Sequence, residues 1–505
     1  MDSVIVEGRG LTIEEVVSVA EGGASASLSQ GARERISEGR HRLEEILASG
    51  RTAYGVNTGV GDLQNIRISP DQAVELQRNL VRSHSCGVGR PLHDEGVRAM
   101  MLLRANALAL GHSGVRRETV DLLLAMLNAG ILPLIPRQGS VGSSGDLAPL
   151  AHMARAMMGE GTVTVFGEEY PAAQALSRAG LRTVLLREKE GLALINGTQY
   201  MTALGALCLH RALVLLKSAQ VVVAMAVEAL RGTDRAFDPR LSEARPHPGQ
   251  AAVAKNLRAL LKGSEIVASH RGCSKVQDAY TLRCAPQVLG AVRDVVLRSR
   301  EVLEIEMNSG TDNPLLFGED IVSGGNFHGQ PVAFALDHLA LAVHTIGNFS
   351  ERRIFRLTDG RLSGLPEFLV RAQGLESGLM VPQYVAAALV NENKVLTMPA
   401  SADSIPTSAN QEDFNSMGAT AANKLERVVE NAEVVVAIEL LCAAQALEFH
   451  QLRPGPGGRL GLEAVRRVTP RVVEDRSLAE DIEAVRQLVR SGKFVEEVER
   501  EVPLD

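Results

Sequence analysis

Between residues 202 and 448 the sequence keeps returning to one pattern. Apolar residues recur at three- and four-residue spacing over 202–231, 287–308, 331–356, 383–394 and 417–448, and they fall on nearly all sides of the helices this spacing predicts. A helix that is apolar all round cannot sit on a surface, so several of them in one chain must bury one another. The expected fold is mainly α, a long-helix bundle with small β excursions. Helical periodicity also covers 30–49 and 96–128, and a helical tail follows the breaker-rich "LRPGPGGRLG" (452–461). Short β-like pieces stand at "TVTVFGEEY" (162–170) and "NPLLFGEDIVSGG" (313–325). These breaks suggest an N-terminal domain over 1–200, a central bundle over 201–451 and a C-terminal tail over 452–505.

Composition narrows the function classes. The chain has 505 residues, 45% of them hydrophobic and 22% charged, with a net charge of -7. An acidic balance without a long Lys/Arg run argues against nucleic acid as the main partner. The start, MDSVIVEGRG, is acidic early and has no apolar core segment, so a signal peptide is not expected. The most apolar helix, "LVLLKSAQVVVAMAVEAL", carries Lys217, Gln220 and Glu228, which fits a buried helix and not a membrane span. Five dispersed cysteines without a CxxC pair fit reduced thiols, and the twelve histidines show no metal-ligand spacing. The expectation is a cytoplasmic protein without a metal.

Polar, glycine-bearing loops separate these helices: "AYGVNTGVGDLQN" (53–65), "RSHSCGVG" (82–89), "GSVGSSGDLAPLAH" (139–152), "EGLALINGTQ" (190–199), "SKVQDAYTLRC" (274–284), "SGGNFHG" (323–329) and "SIPTSANQEDFNSMG" (404–418). Functional side chains concentrate on loops held by a rigid scaffold. Phosphate binding is not supported, because "TGVGDLQN" lacks the third glycine of GxGxxG and "GSVGSSGD" lacks the following Lys. No Ser in 139–145 has glycine at both minus two and plus two, as a hydrolase nucleophile elbow requires. Lys275 could form a pyridoxal Schiff base, but no partner motif accompanies it.

Two readings of 139–152 remain. One is a turn that caps a helix, with Asp146 as N-cap and Pro149 in the first turn. The other is a reactive backbone. A glycine amide carries no Cβ obstruction, so the Gly145 nitrogen can approach the Ser143 carbonyl carbon. Closure with loss of one water, then loss of the Ser144 hydroxyl as a second, leaves an exocyclic methylidene, an electrophile made without any bound cofactor.

The motifs YGVNTG, SH..GVG, GS.G.SGDLAPLAH, EGLALINGTQ, RPHPGQ, KVQDAY.LRC, DNPL, SGGNFHG and SIPTSANQED run along nearly the whole chain. With them the sequence resembles the histidine ammonia-lyases of the aromatic amino acid lyase family, whose fold is a long-helix bundle of the aromatic amino acid lyase / fumarase-like type. The resemblance implies an autocatalytic 4-methylidene-imidazol-5-one from Ser143-Ser144-Gly145 and elimination of ammonia from L-histidine to give urocanate. It also implies a homotetramer in which each active site draws on more than one chain. Two positions depart from the family pattern: Ser143 stands for the usual Ala, and Phe414 for the His that usually follows QED.

An amine is a poor leaving group and a β-proton is weakly acidic, so such a site needs an electrophile and a placed base. Tyr54, on its glycine-bordered loop, is the candidate base, and the resemblance agrees. Tyr280 is implied near the ring and the departing amine. The Arg283 guanidinium suits a two-point clamp on the substrate carboxylate. Asn196 and Gln277 can donate to the ring carbonyl or hold the substrate backbone, and Asp146 is implied in ring formation. By the resemblance His84 and Glu412 face the imidazole, and Phe327 packs on it. Each has a plainer structural alternative: a loop anchor, a core aromatic, an ion pair or a helix cap. The competing functions are the same ring used on tyrosine or phenylalanine, as ammonia-lyase or 2,3-aminomutase, and a non-catalytic helical scaffold.

Overall fold

The computed structural model describes residues 3–273 and 275–505, so the motif residue Ser274 lies outside the described residues. The chain forms two compact units, each gathered from three stretches: Met1–His210, Arg300–Asp337 and Pro399–Asn423 in the first, Arg211–Ser299, His338–Met398 and Lys424–Asp505 in the second. The linear reading divides the chain into consecutive segments; the packing units are interleaved instead, because the helices Gln199–Ala229, Ala285–Met307, Gln330–Thr358 and Gly418–Leu447 each lend residues to both.

The long helices are Gln199–Ala229, Ala285–Met307, Gln330–Thr358, Met380–Leu396 and Gly418–Leu447, within a few residues of the expected runs. Two spans, Glu190–Ala229 and Gln330–Thr358, are long and apolar enough to cross a membrane, and 83% and 61% of their apolar windows are buried within the fold. The β excursions at 162–170 and 313–325 are hairpins, Thr162–Val165 with Glu168–Pro171 and Leu315–Phe317 with Asp320–Val322. Pairings beyond those expected join Ser3–Val6 to Ser25–Leu28 in parallel, Val88–Pro91 to Pro136–Gln138, and Ile131–Pro133 to Thr162–Val165.

One expected helix is two. Periodicity over 96–128 gives Asp94–Leu108 and Arg117–Asn128, broken where Gly111 and Gly114 take φ of +81° and +68°. Gly111 packs against the helix Gln30–Ala48: a Cβ on Gly39 would strike the Gly111 carbonyl, and a Cβ on Gly111 would strike the Arg35 carbonyl. The apolar residues on both sides of the break stay in phase, so the pattern alone reads straight through it. The breaker-rich linker also departs from expectation: Pro456 occupies the first turn of a helix, Pro456–Val468, where its missing N–H costs nothing.

Three helices position the loops of interest in the first unit. Ala73–His84, Leu147–Met157 and Glu190–Ile195 pack pairwise on one another. His84 ends the first, the 139–146 loop leads into the second, and Asn196 caps the third. Behind the third, Lys189 Nζ and Asp312 Oδ2 form a buried pair at 2.6 Å, both side chains almost without solvent exposure. Removing one member leaves the other charge uncompensated. Asp312→Asn is expected to cost about 3–5 kcal/mol, read as a lower denaturant midpoint.

In the second unit the Arg353 guanidinium makes a fully buried two-point contact with Glu439, at 2.5 and 2.7 Å. Arg211 makes another with Glu433, at 2.8 and 2.9 Å. Paired forks of this kind let charged groups stay inside an otherwise apolar bundle.

Candidate active site

The 139–146 loop is pinned from several sides. Gly142 and Gly145 take φ of +73° and +72°, and a Cβ on Gly145 would run into the backbone of Gly197. The Gly142 carbonyl accepts from the Gly329 N–H (2.9 Å) and from Ser416 Oγ (2.7 Å), and the Val141 carbonyl accepts from the Met417 N–H (2.9 Å). Asn196 Nδ2 donates to the Ser144 carbonyl at 2.6 Å, while the Asp146 N–H donates to the Gly197 carbonyl at 2.7 Å. The peptide groups on either side of Gly145 are therefore both held by the Asn196–Gly197 turn.

Asp146 stands at the N-cap position of Leu147–Met157, as expected, but its side chain does not cap that helix. Its carboxylate accepts from Ser140 Oγ (2.7 Å) and from the Met201 N–H (3.0 Å) in the first turn of Gln199–Ala229. The reason is burial: the helix Gln199–Ala229 begins against the loop, and its free N–H groups are the nearest donors. Complete burial pushes the Asp146 carboxyl up to about 7.

Two adjoining cavities of about 410 and 450 Å³ open over this loop and share Tyr54, Ser144, Asn313, Phe327 and Glu412. Ser143 lines the first, and His84 and Asn196 line the second. Tyr54 is half-buried, and its hydroxyl oxygen accepts from the Gly61 N–H at 2.9 Å. Burial pushes the phenol above its ordinary range, the Glu412 carboxylate adds to the rise, and the Gly61 N–H opposes it. Glu412 Oε1 accepts from Ser144 Oγ at 2.7 Å, and its Oε2 accepts from Thr407 Oγ1 at 2.7 Å.

His84 Nδ1 lies 2.8 Å from the Leu80 carbonyl. A carbonyl can only accept, so Nδ1 carries the proton and Nε2 is left as an acceptor. Burial lowers the His84 pKa, which keeps the ring neutral at neutral pH. With Nδ1 committed to Leu80, the nitrogen that His84 has left for the cavity is an acceptor.

Gln277, Tyr280 and Arg283 belong to the second unit and are not among the residues lining these cavities. Gln277 lines a separate cavity of about 620 Å³ with Arg231, Arg271 and Asp278. The Arg283 guanidinium lies 4.5 Å over the Tyr280 ring, and its Nε donates to the Asp278 carbonyl at 3.0 Å. Tyr280 is 69% exposed, so a core-aromatic role is excluded. Lys275 pairs with Asp278 at 3.5 Å.

Two features of the site were not singled out from sequence. Thr407 holds Glu412 by its hydroxyl and by a backbone bridge across a turn in which Ser408, Ala409 and Asn410 all have positive φ. Three non-glycine residues in that region store strain of the kind found at binding sites, and only Asn410 is a residue type that hints at it. Asn313 accepts from the Gly324 N–H (2.7 Å) and lines both cavities; the string DNPL was its signal.

The sequence pattern of the aromatic amino acid lyases matches residues 11–467. The chain belongs to that family, and it is a carbon–nitrogen lyase. It is 53% identical to a histidine ammonia-lyase of Symbiobacterium thermophilum over 495 residues, 97% of each chain. Among solved structures it is similar to histidine ammonia-lyase from Trypanosoma cruzi, with 46% identity, a TM-score of 0.92, and 99% and 96% of the two chains covered. It is also similar to tyrosine aminomutase from Streptomyces globisporus, with 41% identity, a TM-score of 0.94, and 100% and 99% covered.

Proposed function

We propose that the chain eliminates ammonia from L-histidine to give trans-urocanate, using a 4-methylidene-imidazol-5-one formed from Ser143, Ser144 and Gly145. The observation that carries this reading is the convergence of Tyr54, His84, Ser144, Asn196 and Glu412 around one space in the first unit. The loop fits such a ring. Asn196 already grips the Ser144 carbonyl, which becomes the ring carbonyl, and its own Oδ1 is buried without a partner. The Ser143 side chain, where the family usually has Ala, is buried with its Oγ unpartnered and contributes no atom to the ring.

The ring supplies an electrophilic carbon that turns the substrate amine into a better leaving group. The chain's own residues do the rest. Tyr54 takes the β-proton; burial works against its phenolate, so the role calls for a cation beside it, and the substrate ammonium and Arg283 are the cations on hand. His84 Nε2 accepts an imidazole N–H. Loss of the Ser144 hydroxyl on ring formation removes the donor to Glu412 Oε1, which is then open to a substrate N–H. Phe327 packs on the imidazole, Arg283 clamps the carboxylate, Tyr280 attends the amine, Gln277 holds the substrate backbone, and Asp146 assists ring closure.

Gln277, Tyr280 and Arg283 reach such a site from another copy in a homotetramer with shared active sites. Support comes from apolar side chains left exposed along two helices, among them Phe334 (50%), Val381 (54%), Tyr384 (62%) and Val395 (71%). Five free cysteines suit a cytoplasmic setting. The reading is tested by the mass of the proteolytic peptide spanning 139–152, expected two waters below its sequence mass in active enzyme and unmodified in Ser144→Ala. An unmodified peptide in active enzyme would refute the ring.

A further inference from the structure

One buried charge near the site has no part in the mechanism above. Arg104, on the helix Asp94–Leu108, is fully buried. A guanidinium is costly to desolvate unless its donors are used; both terminal nitrogens of Arg104 are, while its Nε is buried without a partner. Its Nη2 donates to the carbonyl of Ala193, in the last turn of Glu190–Ile195, where helical carbonyls lack an intrahelical partner. Its Nη1 donates to Gln199 Oε1 at 2.8 Å, and Gln199 Nε2 donates onward to Thr311 Oγ1 at 2.7 Å. These contacts brace both ends of the Asn196–Thr198 turn. The turn is wedged so tightly that a Cβ on Gly197 would strike Arg104 Nη1 and Gln199 Oε1 and lie 2.7 Å from the Thr311 carbonyl.

That turn is what holds the peptides on both sides of Gly145, through Asn196 to the Ser144 carbonyl and through the Gly197 carbonyl to the Asp146 N–H. We infer that Arg104 is a positioning residue for ring formation: it makes the turn a rigid anvil that fixes the Gly145 nitrogen against the Ser143 carbonyl carbon. This rests on the ring reading above. Closure joins those two atoms; the Ser143 oxygen leaves as water with the hydrogens of the Gly145 and Ser144 amides. Ser144 then loses its hydroxyl and Cα hydrogen as the second water, so no other reactant is needed. A misplacement of about 1 Å in such a step costs roughly 10²-fold in rate.

The test follows the 139–152 peptide of full-length protein by mass at intervals after a pulse of synthesis, with helical content checked by circular dichroism. Arg104→Met and Gln199→Leu are expected to fold and to lose the two waters about 10²-fold more slowly than wild type. Asn106→Leu is the control: Asn106 lies on the same helix, is equally buried, and serves Gly8 and Met307 instead of the turn. It is expected to lower thermal stability and to mature at the wild-type rate. Wild-type maturation in folded Arg104→Met overturns the inference, as does an equal slowing in Asn106→Leu. Where Arg104→Met fails to fold, Gln199→Leu decides by the same criterion. Wild-type protein that never loses water removes the ring reading itself, whereas wild-type protein that matures beside a normally maturing deciding variant removes only the role of Arg104.

Discussion

L-Phenylalanine is expected to be a poorer substrate than L-histidine by about 10⁴–10⁵-fold in kcat/KM, the discrimination typical of sites that hydrogen-bond a group the analogue lacks. His84 is the reason. Its Nδ1 is spent on the Leu80 carbonyl, so Nε2 faces the cavity as a half-buried acceptor that a phenyl ring leaves unpaired. Phe414, at the position where an apolar preference could arise, stands 58% exposed at the cavity rim. Its ring stacks on His328 with centroids 6.1 Å apart, and its carbonyl accepts from His328 Nε2. That ring is engaged with a neighbour beside the Glu412 loop and leaves the His84 end of the space polar. Steady-state kinetics on the two amino acids check the ratio, and His84→Leu should narrow it from the histidine side. Comparable turnover of both by wild type would remove the imidazole reading.

Tyr54→Phe is expected to lower kcat for histidine by about 10²–10⁴-fold, the usual contribution of a placed base. The variant deletes one oxygen. It costs the Gly61 N–H its acceptor but leaves the 139–146 loop and its contacts intact. The ring should therefore form normally, seen as the two-water loss and as ultraviolet absorption beyond the tyrosine band, which is open to view because the chain has no Trp. A variant with near wild-type kcat would move proton abstraction to another group. Because burial holds the Tyr54 hydroxyl above its ordinary range, activity that depends on its ionised form should keep rising with pH into the alkaline range, with no plateau below the ordinary phenol pKa of about 10.

Much of the site was legible because its parts are local strings. Tyr54, His84, Asn196 and Glu412 each sit in a short loop or at a helix end, so recognising the string recognises the residue, and the packing of three helices brings His84 and Asn196 to the 139–146 loop. Other features depend on what lies across the fold. The Asp146 carboxylate serves the next helix instead of its own because that helix start is buried beside it. The state of His84 depends on a carbonyl one turn earlier, and the hold on Glu412 on a strained turn that residue types barely announce. The division at Gly111 is invisible to periodicity, because it is set by a backbone contact with Gly39. The long helices were the easiest to read, since apolar residues at three- and four-residue spacing predict a helix whatever covers its faces.

The most direct measurement of the central claim is product analysis of purified protein supplied in parallel with L-histidine, L-tyrosine and L-phenylalanine. The account predicts that histidine is consumed, with urocanate and ammonia released in equal amounts and the other two left almost untouched. Histidine left intact while tyrosine or phenylalanine is consumed, or nitrogen retained as a 3-amino acid, would contradict it.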